Sequence, residues 1–439
     1  MAPESRLCGG QTARGLWLPL SVLLVALLLR LALLAFVQTN NPSGQLSQTD
    51  SAQYLHIAER FLSSGTFAGE SDAHPNTPIL LRTPGYPAFI AVVYLLSKHE
   101  HAAIILAQIL LSAVMILLLY HTVELVTQRQ GLALLAALLI ALDPLSIWAS
   151  EVVLTESVFT LFIVLAVYIG VRIAESRHAL LWAAVGGASI GISALIRPVS
   201  YYLVLPYAVA LAIAARRSCL RKAQILVVTL VTVAAWACIV LPWQWRNHAE
   251  LQTWQFSGIG DYNLLFYRAA GIVAEREGIT LEKAEQQLSE GLSPNDAPAR
   301  YYQSCRERAL PVILAHLHNL VSITLRGALR LCFGPGTETV ASWLGLASSR
   351  FLMACLLAWI GALWILIMIG FRRSARLPFF IPIVIFAYIV AVSSGPEAYA
   401  RFRAPLMPIL AMFAVNGCAV IYDRLPRLKT PGSIISGRS

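Results

Sequence analysis

The run Leu16-Trp-Leu-Pro-Leu-Ser-Val-Leu-Leu-Val-Ala-Leu-Leu-Leu-Arg30-Leu-Ala-Leu-Leu-Ala-Phe-Val37 decides the fold class. A hydrocarbon core about 30 Å thick needs ~20 predominantly apolar residues to cross it, and this run is long enough. It also exceeds the core of a typical signal peptide and follows Arg6 and Arg14, so it reads as an uncleaved signal anchor. Arg30 inside it is expected to snorkel or to pair with another helix, without a catalytic role.

Outward from this segment the same texture recurs. The 439 residues are 57% hydrophobic and only 13% charged, a balance that leaves too little polar surface for a soluble domain of this length. The expected fold is an all-α polytopic membrane protein of ten spans: 16–37, 102–120, 131–148, 152–171, 179–196, 199–215, 223–242, 351–370, 377–394 and 404–422. The net charge of +10 does not point to nucleic acid. With a cytoplasmic N-terminus the basic residues fall on inside loops, at Arg129, Arg172 and Arg177, Arg216 to Lys222, Arg372 to Arg376, and Arg424 to Lys429. Two further apolar pieces, 84–97 and 310–325, would reverse this order if they spanned, so they are expected to lie flat at the outer interface.

Two outer segments are long, 38–101 and 243–350. The second is expected to hold an amphipathic helix near 268–290, a turn-rich break at Ser293–Pro298, and another helix from 298. A connection this long usually covers a site. The domain reading is therefore a membrane module over 1–242 with its outer loop 38–101, an outer segment 243–350, terminal spans 351–423, and a disordered cytoplasmic tail 424–439. The seven cysteines show no CxxC and no paired spacing, and read as small core residues. No GxGxxG after a strand and no GxxxxGK[ST] is present, so a soluble nucleotide-binding domain is not expected.

The outer edge carries charges that break the positive-inside pattern. Arg82, Arg197, Arg246, Arg401 and Arg403 come from four separate loops yet share one depth. A guanidinium grips phosphate oxygens in a planar fork and stays charged, so a lipid-borne phosphate would account for the set; snorkelling to ordinary headgroups is the plain alternative for any one of them. Asp50, Asp143, Glu151 and Glu156 form the matching acids. Asp50 opens a helix expected over 50–64, where Gln53 would also make it a capping box. Asp143 before Pro144 reads as a helix-end turn. Glu156 at the hydrocarbon edge needs a partner, either an outer arginine or a metal.

The order of these motifs resembles the GT-C class of integral-membrane glycosyltransferases, nearest to the protein O-mannosyltransferase, lipid A aminoarabinose transferase and rhizobial lipopolysaccharide transferase group. The likeness is carried by Asp50-x-x-x-Tyr54-x-x-x-Ala58, Arg82-x-Pro84-Gly85-Tyr86-Pro87 and Leu154-Thr155-Glu156. Leu195-Ile-Arg-Pro198, Pro242-Trp243 with Arg246-Asn247, and Arg401-Phe-Arg-x-Pro405-x-x-Pro408 complete it. The resemblance implies a sugar donor on an undecaprenyl- or dolichyl-phosphate carrier at the outer face, with Asp50 as the base. It implies phosphate binding by Arg82, Arg246, Arg401, Arg403 and Arg197, with Tyr54, Tyr86, Glu156 and Asn247 as substrate or supporting residues. Where many relatives have Asp-Glu this chain has Asp50-Ser51, and Glu156 stands for the commoner Asp, so a divalent cation stays open.

The expected reaction is hexosyl or pentosyl transfer to a hydroxyl of a glycan, lipid or protein, catalysed in a bacterial inner membrane at its periplasmic face. An O-antigen ligase or polymerase acting on a pyrophosphate-linked donor is the second enzyme reading. A lipid or sugar flippase is the transport reading, and no internal repeat supports it.

Overall fold

A computed structural model of the chain describes residues 13–46, 49–69, 77–173, 178–216, 221–293, 296–374 and 379–424. The expected disordered tail beyond Arg424, and the basic loop residues Arg177, Arg217 and Arg376, lie outside the described residues. Apart from an isolated bridge between Ala68 and Pro78, regular structure among the described residues is helical.

The chain opens with α1 (Ala13–Asn40), the outer helix α2 (Thr49–Ser64) and the short α3 (Gly85–Ser97). A membrane bundle follows: α4 (His101–Thr127), α5 (Gln130–Leu142), α6 (Pro144–Glu151), α7 (Glu156–Arg172), α8 (Ala179–Ile196), α9 (Val204–Ala215) and α10 (Lys222–Leu251). The outer segment carries α11 (Ile259–Asn263), a π-helical turn Leu264–Ala269, α12 (Ala270–Glu277), α13 (Leu281–Ser289), α14 (Pro298–Ala315), α15 (Leu317–Phe333) and α16 (Thr337–Leu344). The chain re-enters the bundle as α17 (Arg350–Ser374), α18 (Phe380–Ser393) and α19 (Met407–Arg424).

Among the described residues, seven helices are long and apolar enough to cross a membrane, or nine if each of two bent pairs counts as one span. The expectation of ten needs correction at particular places. The expected span 131–148 is two helices, α5 and α6, bent by 58°. Pro144 has no N–H to continue the ladder, and the Asp143 carboxylate caps α6 by accepting the Ser146 N–H at 2.7 Å. The expected spans 152–171 and 377–394 are helices of 17 and 14 residues. The pair α14–α15, which contains the piece expected to lie flat, is apolar enough to count as a span but turns through 101°. The helix expected over 268–290 is also two, because Gly278 ends α12 with φ +66° and Thr280 caps α13.

Breaks inside a membrane bundle must find internal partners for their freed backbone groups. Arg30 of α1 is fully buried and donates to the carbonyls of Ile140 and Ala141 (3.2 Å to the latter), the last turn of α5. Its interhelical contact is therefore with a helix end. Between α6 and α7, Gln108 of α4 donates to the carbonyl of Val152 at 2.8 Å, and the Val153 N–H reaches the Gln45 carbonyl at 3.1 Å. The bundle itself closes through small residues. Gly187 lets α8 lie against the backbone of Thr232 in α10, and Gly370 meets Gly417 where α17 crosses α19.

The two ends of the bundle differ in chemistry. At one end Arg129 and Arg373 both grip Asp423, each at 2.9 Å. At the other end α2, the start of α7, the end of α8 and the start of α19 converge beneath the outer segment.

Candidate active site

Six of the predicted residues, Asp50, Tyr54, Arg82, Glu156, Arg197 and Arg401, meet at that second end. Asp50, Gln53 and Tyr54 share one face of α2, at the i, i+3, i+4 spacing that makes helical neighbours. All three touch Arg82. Its guanidinium lies 2.6 Å from Asp50 Oδ1, donates to Gln53 Oε1 at 2.7 Å, and sits 5.1 Å from the centre of the Tyr54 ring. Gln53, read from sequence as a capping partner, instead fixes an arginine.

The other oxygen of Asp50 belongs to Arg401. That side chain bridges two acids, with Nη2 at 3.0 Å from Asp50 Oδ2 and Nε at 2.6 Å from Glu156 Oε1. Arg197 reaches the same Glu156 oxygen at 3.0 Å and rests against Phe159 and Phe402. Glu156 is fully buried at the first turn of α7, where the helix dipole favours a carboxylate. The result is an unbroken chain of alternating charge, Arg82–Asp50–Arg401–Glu156–Arg197, drawn from five separate stretches of sequence.

This chain forms the wall of a cavity of about 1410 Å³, lined among others by Asp50, Tyr54, Arg82, Arg197 and Arg401. Burial pulls the Asp50 carboxyl upward, but the positive charges of Arg82 and Arg401 outweigh it and leave the group below its ordinary value of 3.8. Asp50 is therefore ionised at neutral pH, and both of its oxygens are engaged.

The remaining predicted residues lie elsewhere. Arg246 donates to the carbonyls of Phe67 (2.5 Å) and Ile79 (2.9 Å) and pairs with Glu250. Asn247 donates to Gln255, and Trp243 to Phe256. The Pro242-Trp-x-x-Arg-Asn247 motif thus ties two irregular stretches together, and Gly258 and Ser257 continue the seam by bonding Leu80 and Leu81. Trp243, Arg246 and Asn247 support the segment that carries Arg82 and do not line the cavity, whereas Gln244 between them does. Arg403 is buried and caps α15, donating to the carbonyls of Leu331, Cys332 and Gly334. The Tyr86 hydroxyl donates to Gln108 at 2.7 Å inside the bundle.

Gly85 lets the start of α3, three residues past Arg82, pack against the end of α8, just before Arg197. A Cβ at this position would fall 2.6 Å from the Leu195 carbonyl carbon and 2.7 Å from the Ile196 nitrogen. Backbone cannot yield as a side chain does, so Gly85→Ala is expected to cost about 1–3 kcal/mol and to move the two arginines apart. Thermal unfolding in detergent checks this against Gly131→Ala, where no atom lies within 4 Å and no loss is expected.

A divalent cation does not suit these donors. Guanidinium groups take both oxygens of Asp50 and the bound oxygen of Glu156, so an ion placed between the acids would face three fixed positive charges. Among the described residues, no group of three His, Cys, Asp or Glu side chains forms a metal cage.

The helical bundle with its outer segment is a membrane protein whose fold is shared with solved GT-C oligosaccharyltransferase structures. Residues 76–243 match the family described as dolichyl-phosphate-mannose-protein mannosyltransferase, a range that includes Arg82, Glu156 and Arg197. Among solved structures the chain is similar to the archaeal oligosaccharyltransferase AglB from Archaeoglobus fulgidus in complex with an inhibitory peptide and a dolichol-phosphate. There the identity is 16% and the TM-score 0.56, over 93% of this chain and 51% of that one. A second structure of the Archaeoglobus fulgidus oligosaccharyltransferase, tethered with an acceptor peptide, gives 14% identity and a TM-score of 0.55 over 93% and 50%. ArnT from Cupriavidus metallidurans bound to undecaprenyl phosphate is a looser likeness, with 13% identity and a TM-score of 0.43 over 88% and 78%. The chain spans about half the length of the oligosaccharyltransferases it matches. No curated protein sequence matches it.

Proposed function

We propose that this protein transfers a hexosyl or pentosyl group from a polyprenyl-phosphate carrier to an acceptor hydroxyl. The observation that carries the reading is the alternating chain of three arginines and two carboxylates at one end of the bundle, whose arginines and Asp50 line a cavity while Glu156 holds two of those arginines from behind. The basic loops at the opposite end argue for a cytoplasmic face there. The cavity would then open to the periplasm of a bacterial inner membrane.

In the reaction the acceptor oxygen attacks the anomeric carbon and the bond from that carbon to the carrier phosphate breaks. The phosphate leaves with the electron pair, and Asp50 accepts the hydroxyl proton. Arg82, Arg401 and Arg197 hold the charge that grows on the phosphate. Tyr54 packs against Arg82, and Glu156 keeps Arg401 and Arg197 facing the same way. The spans of 1–242 and 351–423 form the catalytic module, and 243–350 covers it.

The same arginines that would hold the phosphate occupy Asp50 in the free protein. An arriving phosphate competes for them and releases the carboxylate, so donor binding and activation of the base are one exchange. A pH dependence follows. A pKa below the ordinary value keeps Asp50 charged at neutral pH, and the stability of its ion pairs is lost as pH falls through that lowered value. The acid limb of kcat/KM reports the free protein and is expected below the usual aspartate range. The acid limb of kcat reports the donor complex and is expected higher. Coincident limbs would remove the exchange.

The direct test uses the purified protein in lipid vesicles with a radiolabelled polyprenyl-phosphate sugar. Release of polyprenyl phosphate together with labelled acceptor supports transfer. Movement of the intact lipid across the bilayer without sugar transfer would make the protein a flippase.

A further inference from the structure

We propose, on the basis of the transfer reading above, that the part of the cavity facing the outer segment is the acceptor subsite, built around Glu397, Asp261 and Tyr267, and that it takes an uncharged glycan. The charges lining the cavity come from different parts of the chain. Arg82, Arg197 and Arg401 line it beside Asp50, while the outer segment contributes Asp261 and Asp296 with Arg306, and Glu397 joins from the stretch before Arg401. A phosphate suits the three arginines, and the three further acids disfavour it.

Glu397 has an oxygen to offer. Its Oε1 pairs with Arg268 at 3.1 Å, while Oε2 is buried with no hydrogen-bond partner among the described residues. A buried acceptor of this kind is normally satisfied, and a ligand hydroxyl would satisfy it. Tyr267 stands on the π-helical turn Leu264–Ala269, a distortion of the kind that recurs at functional sites. Burial pushes its hydroxyl up to about 12, and the charges of both Glu397 and Asp50 act in the same direction, so it lies within electrostatic reach of each. Asp261 accepts from Gln255 at 2.8 Å and lies 4.0 Å from Arg306, which leaves its carboxylate room for another donor.

Carboxylates and tyrosines in one wall suit a sugar. Adjacent hydroxyls donate to the acids, while the C–H face of the ring stacks on aromatic side chains such as Tyr262 and Tyr301, which also line the cavity. A phosphorylated lipid acceptor would bring its charge against three carboxylates.

The test offers the full-length protein, in vesicles with radiolabelled polyprenyl-phosphate sugar, three acceptor fractions from native membranes: neutral polysaccharide, phosphorylated lipid and protein. Label in the neutral polysaccharide is expected. Label in either other fraction would leave the transferase standing and overturn this subsite, whereas an unspent donor would remove both. Glu397→Gln is then expected to raise the acceptor KM about ten-fold with donor affinity and kcat little changed. Arg268 donates to the carbonyls of Val392 and Ser394, so Arg268→Gln reports the purely structural part. If Glu397→Gln merely reproduces the stability and kcat losses of Arg268→Gln, with acceptor KM unmoved, the subsite is wrong.

Discussion

Asp50→Asn is expected to lower sugar transfer by about 10²–10⁴-fold, the range that a positioned general base contributes. The substitution is nearly isosteric, so α2 keeps its place and expression should match the wild type. The change falls on charge and basicity. Asn cannot accept the acceptor's proton, and its NH₂ must face one of the two guanidiniums that Asp50 now holds at 2.6 and 3.0 Å. Removing this negative charge also removes the phosphate's competitor for Arg82 and Arg401. Donor affinity is therefore expected to stay equal or to tighten while kcat collapses. Polyprenyl-phosphate binding and single-turnover kinetics on the same preparation separate the two effects. Near-normal turnover in the variant would end the assignment of Asp50 as base.

The second large effect is on stability as well as activity. Arg401 has a side chain only 8% exposed and bridges Asp50 to a Glu156 that is not exposed at all. Removing Arg401 leaves Glu156 with Arg197 alone and Asp50 with Arg82 alone, so the loss should fall below the roughly 3–5 kcal/mol of a fully stranded buried charge. Arg401→Met is expected to lose transfer and to lower the unfolding temperature in detergent. Adding Glu156→Gln removes the under-neutralised acid but also takes the partner of Arg197, so the double variant should lose less stability than the two single losses summed, and regain none of the activity. That non-additivity is the measurement, because two independent sites would simply sum their losses. A double variant whose loss equals the sum of the two single losses would mean that the pair is not coupled.

The fold class was legible because membrane spans are written in long apolar runs. Their exact number was less so, since a break such as Asp143-Pro144 leaves hydropathy untouched while bending the helix by 58°. The central pair Asp50 and Arg82 was visible from one polar stretch, and Arg401 and Glu156 from charges that violated the topology rule. Depth alone does not reveal what an arginine touches. Arg246 and Arg403 sit at the same level as Arg82 and Arg401, yet they donate to backbone carbonyls at loop and helix ends. A guanidinium has five donors, and an exposed helix terminus attracts it as readily as a phosphate does. Gln53 was hidden for a related reason, since its spacing from Asp50 fits a helix cap as well as a clamp on Arg82. Glu397 and Tyr267 went unmarked because nothing in the local pattern distinguishes them from any interfacial acid or tyrosine.

The partnership of Glu156 imposes a schedule on biogenesis. Its principal counter-ion, Arg401, is 245 residues further along the chain and is synthesised long after α7 must enter the bilayer. An unneutralised acid at that depth opposes insertion. Arg197, arriving directly after the next helix, already reaches the same carboxylate oxygen and can shelter it while the ribosome completes the remainder. Its earliest service would thus be as an escort during translation, performed before the finished protein has met any ligand.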